Sequence, residues 1–463
     1  KNGSGQTVRR LPAVSHPLEK TDSMQQAAFI ASSPSALTPG VHLMAKPAGP
    51  DCNLRCDYCF YLEKEAFFPG VKRPRMTDEV LEAYVRQSAA ANLGTPGGLL
   101  FSWQGGEPTL MGLDFFRRAV ELEQKYCQGQ SFENTLQTNG TLLTDEWCEF
   151  LARNRFLVGL SLDGPDFVHD RHRHDATGRG TFERVLRSLK LLQKHGVEYN
   201  VMATVGRESA RHPLEIYAFF KDQGVRHVQF SPIVEREPDE SARALGLNLA
   251  TPPLARHGGS SAVTPWSVEP ESFGDFLVVI FDAWVRRDVG SMFVMNFEWA
   301  LASALGEEGA VCTMARHCGN ACIVEHNGDV YACDHFVYPE YRLGNILTGD
   351  VASMVASKRQ LEWGRRKESA LPRQCLECPV GRVCRGGCQK HRFAETESGE
   401  AGLNYLCPGY SRYYNYIGKY MVGFRKLAEL GFPFERIMEA IDAPLLLPAS
   451  EKSGNQPVLL WIR

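Results

Sequence analysis

An open α/β barrel of six parallel strands, followed by a cysteine-rich appendage, is the fold this sequence predicts. Three observations carry that expectation. Six short β-rich runs alternate with helical segments between residues 41 and 232, a stretch rich in Pro, Gly, Ser and Ala at 235–270 ends the alternation, and most of the 14 cysteines crowd into 52–59 and 312–407. At 463 residues the chain is longer than one ordinary domain, which suits a barrel with a smaller unit appended.

Residues 1–38 are rich in Ser, Pro, Gln and Ala without a sustained period, and predict a flexible leader. The predicted strands are V-H-L-M-A-K at 41, L-L-F-S-W at 99, N-T-L-Q-T-N at 134, L-V-G-L-S-L at 157, E-Y-N-V-M-A-T-V at 198 and H-V-Q-F-S-P at 227. Segments 78–92, 114–126, 144–153, 181–195 and 212–223 carry apolar residues at helical spacing, so each strand is followed by a covering helix. Repeated strand-helix units mean a parallel sheet. Six units with no seventh predict a partial (β/α)6, TIM-like barrel over 39–235, with its chemistry at the C-terminal strand ends. Residues 236–310 read as a linker and helical segment, 311–430 as the cysteine-rich domain with a closing helix around 410–430, and 431–463 as a tail. Asn327-Gly328 between two β-like runs predicts a hairpin with a type I′ turn, whose open end would bring Cys322 and Cys333 together.

Charge excludes some functions. Lys+Arg 51 against Asp+Glu 54 leaves a formal net charge of -3, which favours neither nucleic acid nor an anionic membrane. The longest apolar run, F-L-V-V-I-F at 276–281, is far too short to cross a bilayer, and no basic-then-apolar export signal stands at the N-terminus. A cytoplasmic location is expected. The cysteine crowding suits reduced thiolate ligands better than the dispersed pattern of a small disulfide scaffold.

C-N-L-R-C-D-Y-C places Cys52, Cys56 and Cys59 in one loop directly after the first strand. A structural zinc site wants four protein ligands, whereas three thiolates suit a cluster that keeps one metal position open. This spacing, with aromatic Tyr58 before the last cysteine, resembles the radical S-adenosylmethionine superfamily. The resemblance implies a 4Fe-4S cluster whose open iron chelates S-adenosylmethionine, the cofactor doing the difficult chemistry while the protein aims it. Q-G-G-E-P at 104–108 follows the second strand. Gly105 and Gly106 allow close backbone approach, and Glu107 can accept from an ammonium group, in keeping with the family's methionine-amino site. Ser161 and Asp163, in S-L-D-G-P, are candidates for the ribose hydroxyls, though Asp-Gly-Pro is also good turn chemistry. Arg173 is a candidate for the cofactor carboxylate, against the plainer reading of H-D-R-H-R-H-D as a solvated charge run.

Cys312, Cys318, Cys333, Cys375, Cys378, Cys384, Cys388 and Cys407 supply enough thiolates for two four-ligand sites, with Cys322 left over. By spacing alone, zinc and iron-sulfur suit C-L-E-C and C-R-G-G-C equally. The run C-x5-C-x14-C, then C-x2-C-x5-C-x3-C and a distant cysteine, resembles the SPASM extension, and more closely the anaerobic sulfatase-maturating enzymes. By that resemblance Cys312, Cys318, Cys333 and Cys388 bind one auxiliary 4Fe-4S cluster and Cys375, Cys378, Cys384 and Cys407 the other, making three clusters. Cys322 has no place in the scheme.

The resemblance, running from about Val41 to Tyr416, implies oxidation of a Cys or Ser side chain of a sulfatase, in a C/S-x-P-x-R motif, to formylglycine. A hydrogen atom, an electron and a proton must leave, with an electron donor such as ferredoxin or flavodoxin completing the system. Asp334, directly after Cys333, matches the family's proton acceptor, with His335 the competing base. By the same resemblance Gln104 and Tyr61 line the reaction chamber, Tyr58 and Gly106 touch S-adenosylmethionine, and Val234 flanks its adenine. The alternatives are a SPASM-type modifier that makes thioether or carbon-carbon crosslinks in peptides, and a non-enzymatic iron-sulfur or zinc-binding protein.

Overall fold

The computed structural model describes residues 40–95, 98–252, 262–319 and 321–441; the expected leader and the tail beyond 441 lie outside them. Strands β1 (His42–Lys46), β2 (Leu99–Trp103), β3 (Phe132–Thr138), β4 (Phe156–Ser161), β5 (Tyr199–Val205) and β6 (His227–Pro232) pair in parallel in chain order. The covering helices are α1 (Asp78–Ala91), α2 (Leu113–Tyr126), α3 (Asp145–Arg153), α4 (Phe182–Lys194) and α5 (Pro213–Asp222), numbering only helices of nine residues or more. Their starts follow from local chemistry. Thr77 and Thr144 cap α1 and α3 by accepting from the backbone N–H three residues on, and Pro213 opens α5 where no donor is needed. Phe101 and Trp103 of β2 pack with Tyr84, Phe116, Leu136 and Val158 in the layer between sheet and helices, all nearly or fully buried.

Beyond β6 the chain departs from expectation. The segment predicted as linker and helix carries α6 (Pro270–Arg287) and α7 (Met295–Ala304), both in the core, and a seventh strand, β7 (Phe293–Val294), parallel to β6. Two residues are too few to show a period, which is why no seventh strand is legible in the sequence. The sheet stays open, with β7 at one edge.

At the other edge the cysteine-rich region does not form a separate layer. Its strand β8 (Ala321–Glu325) pairs in parallel with β1 along all of it, His42 opposite Ala321 and Lys46 opposite Glu325. Strands β9 (Asp329–Tyr331) and β10 (Arg342–Asn345) continue antiparallel, making one ten-stranded sheet. The edge of β1 is thereby covered; β9 runs back toward the N-terminal end of β1, and the chain past it turns so that Asp334 reaches Lys46. The β8–β9 hairpin forms, but with another turn. Only Gly328 takes a positive φ, +85°, while Asn327 does not, and the Gly328 N–H donates to Glu325 O. This is a type I turn closed by a left-handed glycine, the usual solution for a three-residue loop.

Helix α8 (Lys358–Ser369) lies over the cysteine-rich region, and α9 (Cys407–Glu429) packs along α6. A Cβ on Gly274 would stand 2.5 Å from Gly409 O, and one on Gly409 would overlap the Pro270 carbonyl, so these glycines let the two helices touch. Residues 431–441, read from sequence as tail, continue the packed body: Ile437 is fully buried and Phe434 meets Phe424 edge-on.

Candidate active site

The three-cysteine loop leaves the C-terminal end of β1 and is held by its backbone. Arg55 N donates to His174 O at 2.7 Å and Asp57 N to His172 O at 3.2 Å, while His172 bonds the Asp57 carboxylate at 2.9 Å. Cys52, Cys56 and Cys59 are half-buried free thiols. Burial raises all three; the Cys56 thiol stands at about 12 even though Arg173 pulls it down. Buried thiols that resist ionisation become thiolates when a cation meets them, so this donor set fits a metal cluster.

The G-G-E turn braces that loop. Gly106 N donates to Gly49 O at 2.8 Å and Glu107 N to Asp51 O at 2.9 Å, and a Cβ on Gly106 would overlap the Asp51 carbonyl. Gly105 has φ +128°. Glu107 also braces the strand ends. Fully buried, it accepts from Thr109 N, Thr109 Oγ1, Thr138 Oγ1 and Asn139 N at 2.6–3.0 Å, tying the end of β2 to the end of β3.

Asp163 and Arg173 likewise hold each other. The buried carboxylate takes a two-pronged bond from Arg173 Nε (2.7 Å) and Nη2 (3.0 Å), and also accepts from Tyr58 OH (3.0 Å) and Thr204 N (2.8 Å). Burial pushes Asp163 up, and Arg173 outweighs it to hold the carboxyl below its usual value. The guanidinium lies 5.5 Å from the centre of the Tyr58 ring. All four bonds are internal, and they make the pair a joint between the cysteine loop and β5. Ser161 Oγ accepts from Gln137 at 3.1 Å. Asp163, Thr204, Gly206 and Ile233 line a cavity of about 200 Å³ at the C-terminal ends of β4 to β6. Val234 does not open on it: 2 % exposed, it packs in the core. Ile233 continues the β5 ladder through Val205 O.

His169 supports this joint from below. Its Nδ1 accepts from Asp163 N at 3.3 Å, which makes Nε2 the donor to Thr181 Oγ1 at 3.0 Å. Burial lowers its pKa from 6.5 to about 4. Between these values the unfolded chain binds the extra proton, so stability is complete above pH 6.5 and is lost as pH falls toward 4, by about 3 kcal/mol from this residue. Urea unfolding at pH 7 and 4.5 should reveal that slope in the wild type and a shallower one in His169→Gln.

The expected base stands where the two halves meet. Asp334 follows Cys333 beyond β9 and forms an ion pair of 2.5 Å with Lys46, the last residue of β1. Burial pushes the Asp334 carboxyl up, and Lys46 more than offsets it. Lys46 is the functional residue that sequence reading passed over; a buried lysine closing an apolar barrel strand was the available signal. Its ammonium lies 4.4 Å from the centre of the Tyr61 ring. The Tyr61 hydroxyl donates to buried Glu325. Gln104 is half-buried beside Lys46, its N–H donating to Ala45 O. His335 is half-buried, its Nδ1 enclosed without a partner among the described residues, and desolvation lowers its pKa to about 3.

The remaining cysteines fall into two electrostatic groups. After burial, Cys388 and Cys318 raise the Cys312 and Cys333 thiols; Cys407, Cys375 and Cys378 raise Cys384. Among the described residues no three of His, Cys, Asp and Glu are grouped as they would be around a single metal ion. Cys322 joins neither. It is fully buried on β8, 3.5 Å from Gln360 Nε2, and burial alone raises it to about 12.

Residues 47–220 match the Radical SAM superfamily, and residues 312–379 the SPASM iron-sulfur cluster-binding domain. A serine-type anaerobic sulfatase-maturating enzyme of Bacteroides thetaiotaomicron is 46 % identical over 386 residues, 83 % of this chain and 91 % of that one. This chain belongs to the anaerobic sulfatase-maturating enzymes. A cysteine-type member from Clostridium perfringens is 32 % identical, covering 82 % of this chain and 96 % of its own. The solved structure of native anSMEcpe with bound AdoMet and Cp18Cys peptide superposes with a TM-score of 0.71 at 32 % identity, over 84 % of this chain and 99 % of that one. Membership makes this a radical S-adenosylmethionine, iron-sulfur enzyme and sets aside the non-enzymatic scaffold. Among the described residues no helix is long and apolar enough to cross a membrane.

Proposed function

We propose that this chain oxidises the Cβ of a serine or cysteine in a sulfatase polypeptide to the aldehyde of formylglycine. Cys52, Cys56 and Cys59 would hold the cluster that binds S-adenosylmethionine, and the two four-cysteine groups would hold auxiliary 4Fe-4S clusters, three in all. Bound there, these groups supply hydrogen-atom removal from Cβ and a place for one electron. Every other demand falls on side chains. Asp334 takes the proton from the substrate heteroatom on its carboxylate, which Lys46 keeps ionised. His335, half-buried and low in pKa, is the poorer base. Glu107 and the Asp163–Arg173 pair fix the cysteine loop against the barrel so that the cofactor is aimed rather than mobile.

The observation that carries the reading is the meeting of Asp334 with Lys46 at the C-terminal end of β1, one residue past Cys333. The substrate motif is C/S-x-P-x-R, the electron donor a low-potential carrier of the ferredoxin or flavodoxin class, and the setting cytoplasmic. Higher identity to the serine-type relative favours serine as the residue oxidised. Anaerobic reconstitution with iron and sulfide, then incubation with S-adenosylmethionine, reductant and peptides carrying S-x-P-x-R or C-x-P-x-R, tests it. Formylglycine by mass together with 5′-deoxyadenosine is the expected result; 5′-deoxyadenosine with a crosslinked peptide would replace the proposal with the crosslinking alternative.

A further inference from the structure

The buried cations around the site mostly have carboxylates. Lys46 has Asp334, Arg173 has Asp163, Lys390 has Glu235 and Lys64 has Glu63. Two do not. Lys367, fully buried on α8, donates to Cys312 O at 2.5 Å and Thr313 O at 2.8 Å. Arg392, 8 % exposed, donates to Gly386 O (2.9 Å), Arg385 O (2.7 Å) and Lys367 O (2.5 Å). Among the described residues neither has a carboxylate partner. Carbonyl dipoles alone are weak compensation for a charge taken out of water, so such groups call for an anion nearby.

The anion is given by position. Lys367 grips the backbone of Cys312 itself, and Arg392 clamps the turn between Cys384, of the second group, and Cys388, of the first. Burial lowers the Lys367 pKa, while Cys318, Cys312 and Cys388 are the groups that raise it. The same α8 face delivers Trp363, which with Ala332 and Phe336 forms the apolar cluster against which Cys318 and Cys333 pack, and Gly364, whose carbonyl accepts from Cys318 N at 3.1 Å. A cluster bound by four thiolates is negative and becomes more so on reduction, so fixed positive charge in a low-dielectric setting favours the added electron.

We propose that Lys367 and Arg392 are fixed counter-charges that raise the reduction potential of the cluster held by Cys312, Cys318, Cys333 and Cys388, making it the electron acceptor of the reaction. This rests on the function proposed above. Once the Cβ has lost its hydrogen atom, forming the C=O or C=S bond releases one electron and the heteroatom proton. Asp334 would take the proton, and a cluster held by Cys312, Cys318, Cys333 and Cys388 would be reduced by the electron. The second group is the poorer candidate, since of the two cations only Arg392 acts on it.

The test is a redox titration followed by electron paramagnetic resonance on fully reconstituted Lys367→Met enzyme, with iron and sulfide counted. One midpoint should fall by at least tenfold in equilibrium constant, about 59 mV for one electron, while the others stay. Lys367→Arg, which keeps the charge, should sit near the wild type. An unmoved midpoint at full iron content overturns the proposal, as does loss of that cluster, which would make Lys367 a structural brace. If wild-type enzyme binds no reducible auxiliary cluster, the functional reading itself fails; if it turns over peptide with an unmoved Lys367→Met midpoint, only this inference does.

Discussion

Cys56→Ala enzyme, reconstituted with iron and sulfide, should cleave S-adenosylmethionine no faster than background and lose about a third of its iron. Of the three loop cysteines Cys56 gives the cleanest removal. The Cys52 sulfur accepts from Leu54 N, and Cys59 is lowered by the Tyr61 and Leu62 N–H groups, whereas no hydrogen bond ties down the Cys56 sulfur. The loop is held instead by the backbones of Arg55 and Asp57 and by the His172–Asp57 bond, all of which an alanine leaves in place. The thermal midpoint of the metal-free protein should therefore stay within a few degrees of wild type, consistent with about 0.5 kcal/mol or less for a change that touches no core contact. Retention of cofactor cleavage would remove the three-cysteine loop from the mechanism.

The barrel strands were legible because each is a run of several apolar or β-branched residues, bounded by turns and spaced by amphipathic helices. Strand β7 has two residues and leaves no period to read. The pairing of β8 with β1 joins residues far apart in sequence, and such partners are chosen by which edge lies open rather than by local pattern. The same division holds at the site. Glu107, Asp163 and Arg173 were found by residue type and position at strand ends, yet the bonds that satisfy them come from Thr138, Thr204 and Tyr58, on other elements. Lys46 was passed over because its partner Asp334 lies in the other matched region, so the sequence displays a lone lysine where the fold makes an ion pair.

Asp334→Asn should leave 5′-deoxyadenosine formation standing while aldehyde yield falls by about 10²–10⁴, the range for removing a general acid-base group. Asparagine keeps the shape and cannot take a proton. It also leaves Lys46 buried without its counter-charge, and breaking such a pair costs about 3–5 kcal/mol, so a poor yield from the single variant would be ambiguous. The double variant Asp334→Asn with Lys46→Met separates the two effects. It removes both charges, should recover much of the lost stability, and should still make no aldehyde. His335 gives the opposite forecast: were it the base, the single variant would keep its aldehyde yield and His335→Gln would abolish it. Its Nδ1 has no partner and its pKa, lowered to about 3 by burial, makes it a weak acceptor near neutrality. Asp334, ionised beside Lys46 and one residue from Cys333, has the charge and the position, and undiminished aldehyde from the double variant would take both away from the argument.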